Sequence, residues 1–284
     1  MNILFPKNAP MKLPGRSAIA ASLFAFFGLG SCATGHAQFT TIAYDGFNYS
    51  AGTLAGKNGG TGWSTPWVND YTSGGSLYVS ATGMTYSGLT TSGGSAVWHA
   101  GGNNLSEDSR TLPLVDSGVV YILFLGQFGS TSGGGAPNMR LLDSGATTGG
   151  FGGNGGTYGA DVSILNASLN AATDGFSSST AKLSALNLIV GRIDYQNDDT
   201  MLWVNPNLST FNFATPPAAN ATYAGLAPAF NTISLITKSP GTFDEITVMS
   251  EPAPEPASAS LLILGSGLAL AGWYRGKSAQ CKAD

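Results

Sequence analysis

The stretch "LNLIVGRIDYQNDDTMLWVNP", Leu186 to Pro206, constrains this chain more than any other. An apolar run from Leu188 to Tyr195 meets the polar turn "QNDDT", and a second apolar run, "MLWVNP", leads away from it. Two short β-prone segments joined by a few turn-forming residues read as a β-hairpin. The same grammar recurs along the chain. "VVYILFLGQF" (Val119 to Phe128) is continuous enough in apolar residues to be a strand buried on both faces. "NMRLLDS" and "YGADVSI" read as shorter strands, "NTISLIT" and "GTFDEITVMS" as closing ones, and "FTTIAYDGFNY" and "SLYVSATGMTY" as opening ones. No stretch between 40 and 250 sustains a helical apolar period, and Gly, Ser, Asn and Pro clusters bound each run. The expected architecture is therefore all-β, a single domain of two packed antiparallel sheets with long glycine-rich connections.

Both ends depart from this grammar. Lys7, Lys12 and Arg16 precede the apolar run "AIAASLFAFFGLG", and "GHA" follows it, so residues 1–37 read as a signal peptide cleaved after Ala37. A competing reading takes "LGSC" as a lipoprotein signal with Cys32 acylated. With the cut at Ala37, Cys32 leaves with the signal. The other of the two cysteines, Cys281, lies beyond the C-terminal apolar run. The exported domain, 38–250, then holds no disulfide, and its stability rests on a core of ordinary size. At the far end, 251–257 is a Pro-rich spacer and 258–274 is free of charge, the short limit for a single transmembrane helix. It ends in Trp273 and Tyr274 before a basic tail, 275–284, which places that tail in the cytoplasm and the domain outside.

Composition removes several functions. From 38 to 250 there are 13 acidic residues against six basic ones, a balance of −7, which leaves no footprint for nucleic acid. A serine hydrolase needs a base, and His99 is the single histidine there, without a Gly-x-Ser-x-Gly elbow; one histidine is also too few for zinc. "GFGGNG" (Gly150 to Gly155) matches the dinucleotide fingerprint formally, yet is expected in a loop without the flanking strand and helix.

Two resemblances carry the rest. The order "YDGFNYSAGTLAGKNGGTGWSTPW", "YILFLGQF", "LIVGRIDYQNDDTMLWVNP", "FDEITV" resembles the concanavalin A-like lectin/glucanase jelly-roll domains of secreted bacterial proteins. Pro254, Glu255 and Pro256, the apolar span after them and the basic end resemble the PEP-CTERM sorting signal. The first implies a jelly-roll sandwich, and with it a structural Ca²⁺ near Asp45 and Asp244, where first and last strands meet. Trp63 and Trp67 are the candidate platforms for sugar stacking. The glucanase branch carries Glu-x-Asp-x-x-Glu, which is absent, and adjacent acids such as Asp244 and Glu245 would face opposite ways in a regular strand. The second resemblance implies an exosortase as processing partner, with transient anchoring in the inner membrane and delivery to the envelope or the extracellular space. Together they set the expectation of a non-enzymatic, surface-sorted protein with carbohydrate contact in the envelope or biofilm matrix. The alternatives are a secreted polysaccharide-active glycoside hydrolase and a protein-binding adhesin module.

Overall fold

Strands form here where β-branched and aromatic residues alternate between two destinations. In β7 (Val119–Phe128), Val120, Ile122 and Phe124 face the interior between two sheets, while Tyr121, Leu123 and Leu125 enter a second apolar cluster on the other side. The continuous apolar run of the sequence is thus a strand buried on both faces, as period two requires. The computed structural model describes residues 39–70, 75–99, 105–128, 138–153, 161–167, 178–237 and 240–251.

The larger sheet contains β1 (Thr40–Asp45), β2 (Gly52–Thr53), β4 (Tyr78–Ser80), β5 (Ser95–Val97), β7, β12 (Asn187–Asp194), β13 (Asp199–Val204), β14 (Ala221–Ala224) and β16 (Gly241–Ser250). Its order is β14-β13-β12-β7-β16-β5-β4-β2, with β1 also paired to β16. The smaller sheet contains β3 (Val68–Asn69), β6 (Ser106–Val115), β8 (Asn138–Asp143), β9 (Ala146–Gly152), β10 (Asp161–Asn166), β11 (Ser178–Lys182) and β15 (Phe230–Thr237). Its order is β11-β10-β9-β8-β15-β6-β3. Pairings between named strands are antiparallel, so the domain is an all-β structure of two antiparallel sheets. The expected hairpin is β12–β13, in register from Asp194↔Asp199 to Ile189↔Val204.

The main core lies between the sheets, where Phe124, Phe128 and Phe243 meet Met139, Phe151, Ile233 and Leu235. The "GFGGNG" stretch differs from expectation: Gly150 to Gly152 belong to β9, and Phe151 is buried. A Cβ at Gly191 of the opposite sheet would stand 2.2 Å from the Phe151 ring, so that glycine makes the room the ring fills. The second cluster sits on the outer face of the larger sheet, where segment 205–219 folds over Tyr121, Val190 and Trp203. Hydrogen bonds fix it there, among them Tyr121 Oη to the Phe213 carbonyl at 2.7 Å and Trp203 Nε1 to the Pro217 carbonyl at 2.9 Å. The expected signal segment and its cleavage site at Ala37, the Pro254–Glu255–Pro256 triplet and the apolar span 258–274 lie outside the described residues. Among the described residues, no helix is long and apolar enough to cross a membrane.

Candidate functional site

β1 and β5 share one edge of β16. β5 pairs with Thr242 and Phe243, β1 takes over from Ile246 to Ser250, and the ladder slips between Asp244 and Thr247. Glu245 sits in that bulge with φ 53°, so Phe243, Ile246 and Val248 all reach the core although the spacing from 243 to 246 is odd. The alternation expected of an adjacent acid pair fails at this point, and Asp244 and Glu245 are both buried.

Each carboxylate is held by donors from elsewhere. Asp244 Oδ2 accepts the Met84 N–H at 2.7 Å and Oδ1 the Glu245 N–H at 2.9 Å. Glu245 Oε2 accepts from the Tyr44 hydroxyl at 2.6 Å and Oε1 from the Ser92 N–H; Tyr44 Oη also lies 2.7 Å from Ser92 Oγ. Loss of water, then the charges of Glu245 and Asp45, lift the Asp244 carboxyl to about 7 in spite of its two N–H donors. Burial and the bond to Glu245 raise the Tyr44 phenol to about 12. Met84 and Ser92, whose N–H groups hold the two carboxylates, also line a cavity of about 130 Å³ together with Gly83, Thr85, Thr91 and Gly93.

The residues singled out in the sequence converge on the same strand pair, but most serve as internal partners. Asp45 lies opposite Ile246 in the β1–β16 register, two residues along that strand from Asp244. Its Oδ2 takes Arg110 Nη1 at 2.7 Å, Tyr49 Oη at 2.7 Å and Trp67 Nε1 at 2.9 Å, and its Oδ1 takes the Phe47 N–H at 2.9 Å. Trp67 is 1% exposed, its ring closed off in the core. Trp63 is half-buried, donates Nε1 to the Tyr44 carbonyl and carries the Arg110 guanidinium 5.1 Å from its ring centroid. The loop that brings both tryptophans in is laid directly on β1. Gly60 and Gly62 have φ of 67° and 79°, and a Cβ on either would strike the Tyr44 or Ile42 carbonyl oxygen at 2.1 or 1.7 Å.

The calcium expectation divides. Asp45 does not fit a hard cation, because its two oxygens already hold four donors, one of them the charged Arg110 guanidinium. Asp244 has oxygen neighbours: a Cβ at Gly83 would meet the carbonyl oxygens of Gly93 at 2.9 Å and Gly94 at 3.2 Å and Asp244 Oδ2 at 3.1 Å. These three oxygens are of the right chemistry for Ca²⁺ but short of the roughly 6–8 that it collects. Among the described residues, no group of three or more His, Cys, Asp or Glu is placed to hold a metal.

Other polar groups stand apart. Asp108 is buried with its oxygens on Ser76 Oγ and the Leu77 N–H, and desolvation lifts its carboxyl to about 7. On the smaller sheet Glu107 accepts from Ser234 Oγ at 2.9 Å and Arg140 Nη1 at 3.3 Å. His99 is exposed at the end of β5, stacked on Tyr78 with centroids 3.8 Å apart. Sequence reasoning missed Tyr44, Tyr49, Ser92 and Arg110; the one signal for Arg110 is its rarity, one of six cations between residues 38 and 250.

No protein-family model and no curated protein matches the chain. Solved structures do. A Bacillus licheniformis β-glucanase is 9% identical over 74% of this chain and 97% of its own, with TM-score 0.37. Lectin I-B4 from Griffonia simplicifolia is 7% identical over 64% and 91%, with TM-score 0.34. A sialidase is 9% identical over 65% of this chain and TM-score 0.38, but the chain spans only 16% of its length. These similarities concern architecture. They correct the expectation of a non-enzymatic protein, since proteins of this shape include a glucanase as well as a lectin. One ground of that expectation, adjacent acids forced to opposite faces, is also removed by the bulge at Glu245, while the absence of Glu-x-Asp-x-x-Glu is unchanged.

Proposed function

We propose that this domain is exported and directed at extracellular polysaccharide, which it engages at the recess next to Asp244 and Glu245. The observation that carries the reading is the pairing of two buried carboxyls, Asp244 held by backbone N–H groups and Glu245 by Tyr44 and Ser92, next to a hydroxyl-lined opening. Asp244 keeps its proton up to about neutral pH, while Glu245 is placed as an acceptor between Tyr44 and Ser92. Thr85, Thr91 and Ser92 supply groups that both donate and accept, which matches the hydroxyls of a sugar. A second reading, glycan cleavage at the same recess, is supported by the presence of two carboxyls there, because glycoside hydrolysis uses a pair of carboxyl groups.

Delivery rests on the sequence: a signal segment ending at Ala37, Pro254–Glu255–Pro256 for an exosortase, and an apolar span that anchors the chain in the inner membrane before processing. A structural Ca²⁺ would use Asp244 with the Gly93 and Gly94 carbonyls, without Asp45.

The test is a glycan array together with a reducing-sugar assay on the full chain in detergent, with and without EDTA, beside Glu245→Gln and Ser92→Ala. Saccharide binding that falls at least tenfold in either variant is the expected result. Sugar release lost in Glu245→Gln moves the reading to cleavage. Neither binding nor release on any polysaccharide overturns it.

A further inference from the structure

We infer that the aromatic groove beside Phe39 is the seat of the chain's own Pro-rich spacer, residues 252–257. The groove is a cavity of about 360 Å³ lined by Phe39, Phe211 and Phe213 with Ser209, Thr210 and Asn212, at the margin of the second apolar cluster. Its rings are already organised. Phe39 stands edge-on to Tyr121 at 5.2 Å, Phe213 edge-on to Tyr121 at 5.0 Å, and Phe211 and Phe213 are 4.9 Å apart. The Tyr121 hydroxyl ties the Phe213 carbonyl, so the wall that carries Phe213 is fixed to the sheet.

Both ends of the described domain arrive at this place. Thr40 pairs with Ser250 in the β1–β16 ladder, which brings Phe39 alongside Glu251. Glu251 donates its N–H to the Val119 carbonyl at 2.9 Å, two residues from Tyr121, and its charge is felt at the Tyr121 phenol. The next residues are Pro252-Ala253-Pro254-Glu255-Pro256-Ala257. Such a sequence favours the polyproline II conformation, at about 3.1 Å per residue, so the segment reaches roughly 15–20 Å from its exit. Pro-rich segments dock in aromatic-lined grooves because the stiff chain loses little entropy and its rings pack on aromatic faces. Here the ligand is tethered within reach of the groove, at a high effective concentration. Among the described residues, no charged side chain lines the groove, which suits the uncharged prolines and leaves Glu255 to the rim.

The consequence is a spacer lying along the domain rather than free in solution, with Pro254–Glu255–Pro256 presented in one orientation. This inference stands independently of the polysaccharide reading, which concerns the recess next to Asp244.

Disulfide trapping in the full chain, in detergent and with Cys32 and Cys281 replaced by Ser, tests it. Ala253→Cys, Glu255→Cys and Ala257→Cys are each combined with Asn212→Cys in the groove or with Ser117→Cys, which is exposed and also two residues from Val119 but outside the groove. The expected result is intramolecular trapping at least tenfold faster with position 212 for one of the three spacer positions. That preference should fall to less than threefold when Phe213→Ser is added. Circular dichroism reports whether Phe213→Ser keeps the fold; if it does not, Phe39→Ser serves instead. Equal trapping at 212 and 117 means a free spacer and overturns the inference, leaving the groove open to an external ligand such as a glycan. Covalent dimers in place of intramolecular loops assign the groove to a second copy and overturn it as well.

Discussion

Arg110 Nη1 meets Asp45 Oδ2 at 2.7 Å with both side chains 1% exposed, joining β6 of one sheet to β1 of the other. The remaining donors of the guanidinium are also used, Nε on the Thr65 carbonyl and Nη2 on Asn58 Oδ1. A buried ion pair is costly to form and costlier to break on one side, because the survivor stays charged without its partner. Arg110→Met is therefore expected to cost about 3–5 kcal/mol. For a domain of this size that is a fall of roughly 10 °C in melting temperature. Adding Asp45→Asn to Arg110→Met should recover part of the loss, and thermal melts of the three variants measure the coupling.

Asp108 and Asp244 set the pH dependence of stability. Both are raised from 3.8 to about 7, so between those values the folded protein holds protons that the unfolded chain has released. Their contribution is complete below pH 4 and is lost as pH rises toward 7, with a slope of at most about 1.4 kcal/mol per pH unit for each group. Asp108→Asn keeps an acceptor for the Leu77 N–H and removes the titration, while its amide NH2 meets Ser76 Oγ as a donor where the carboxylate accepted. Urea unfolding at pH 4.5, 5.5 and 6.5 should show roughly half the wild-type slope in this variant; an unchanged slope would remove Asp108 from the account.

The two sheets were legible in the sequence because period-two alternation survives wherever pairing is regular, as in β7 and in the β12–β13 hairpin. The site was legible only in part. Asp45 and Asp244 lie on the paired strands β1 and β16, yet the role of Asp45 depends on Arg110, 65 positions away, and no local pattern encodes that distance. Glu245 was misread for a different reason. A bulge adds one residue to a strand, and "FDEITV" carries no glycine to announce it, so alternation assigned the acids to opposite faces. Trp67 reads like Trp63 in "TGWSTPW"; only the closure of the loop over β1 makes one core and the other half-buried.

That closure supplies a third prediction. Gly62 lies against β1 with φ 79°, and the nearest atom to a Cβ there is the Ile42 carbonyl oxygen, which belongs to backbone and cannot swing aside. Gly62→Ala combines left-handed strain with this collision and is expected to cost about 3 kcal/mol or more. Gly56→Ala, at φ 83° but with nothing within 4 Å, meets the strain alone and should cost about 1 kcal/mol. The difference between the two variants in urea midpoint isolates the contact. It should be accompanied in Gly62→Ala by faster proteolysis of the 58–67 loop, since the mutual bonds between Tyr44 and Thr61 hold that loop to the strand.

The proposed route of delivery makes the last prediction. In the sorting reading Glu255 is the only charge between Glu251 and Arg275, so it is the one group in the spacer that a processing enzyme can read by charge. Glu255→Gln keeps the size and hydrogen-bonding shape of the side chain but removes that charge. In the native host the variant is expected to accumulate as an uncleaved, membrane-bound chain, retained by 258–274, while the wild type loses its tail. Mass spectrometry of the C-terminus and a membrane/supernatant fractionation read the two outcomes. Glu251→Gln, at the last described residue of the domain, separates motif from mere proximity: it should be processed like the wild type. Normal processing of Glu255→Gln would leave the apolar span as an ordinary membrane anchor and remove the exosortase as partner.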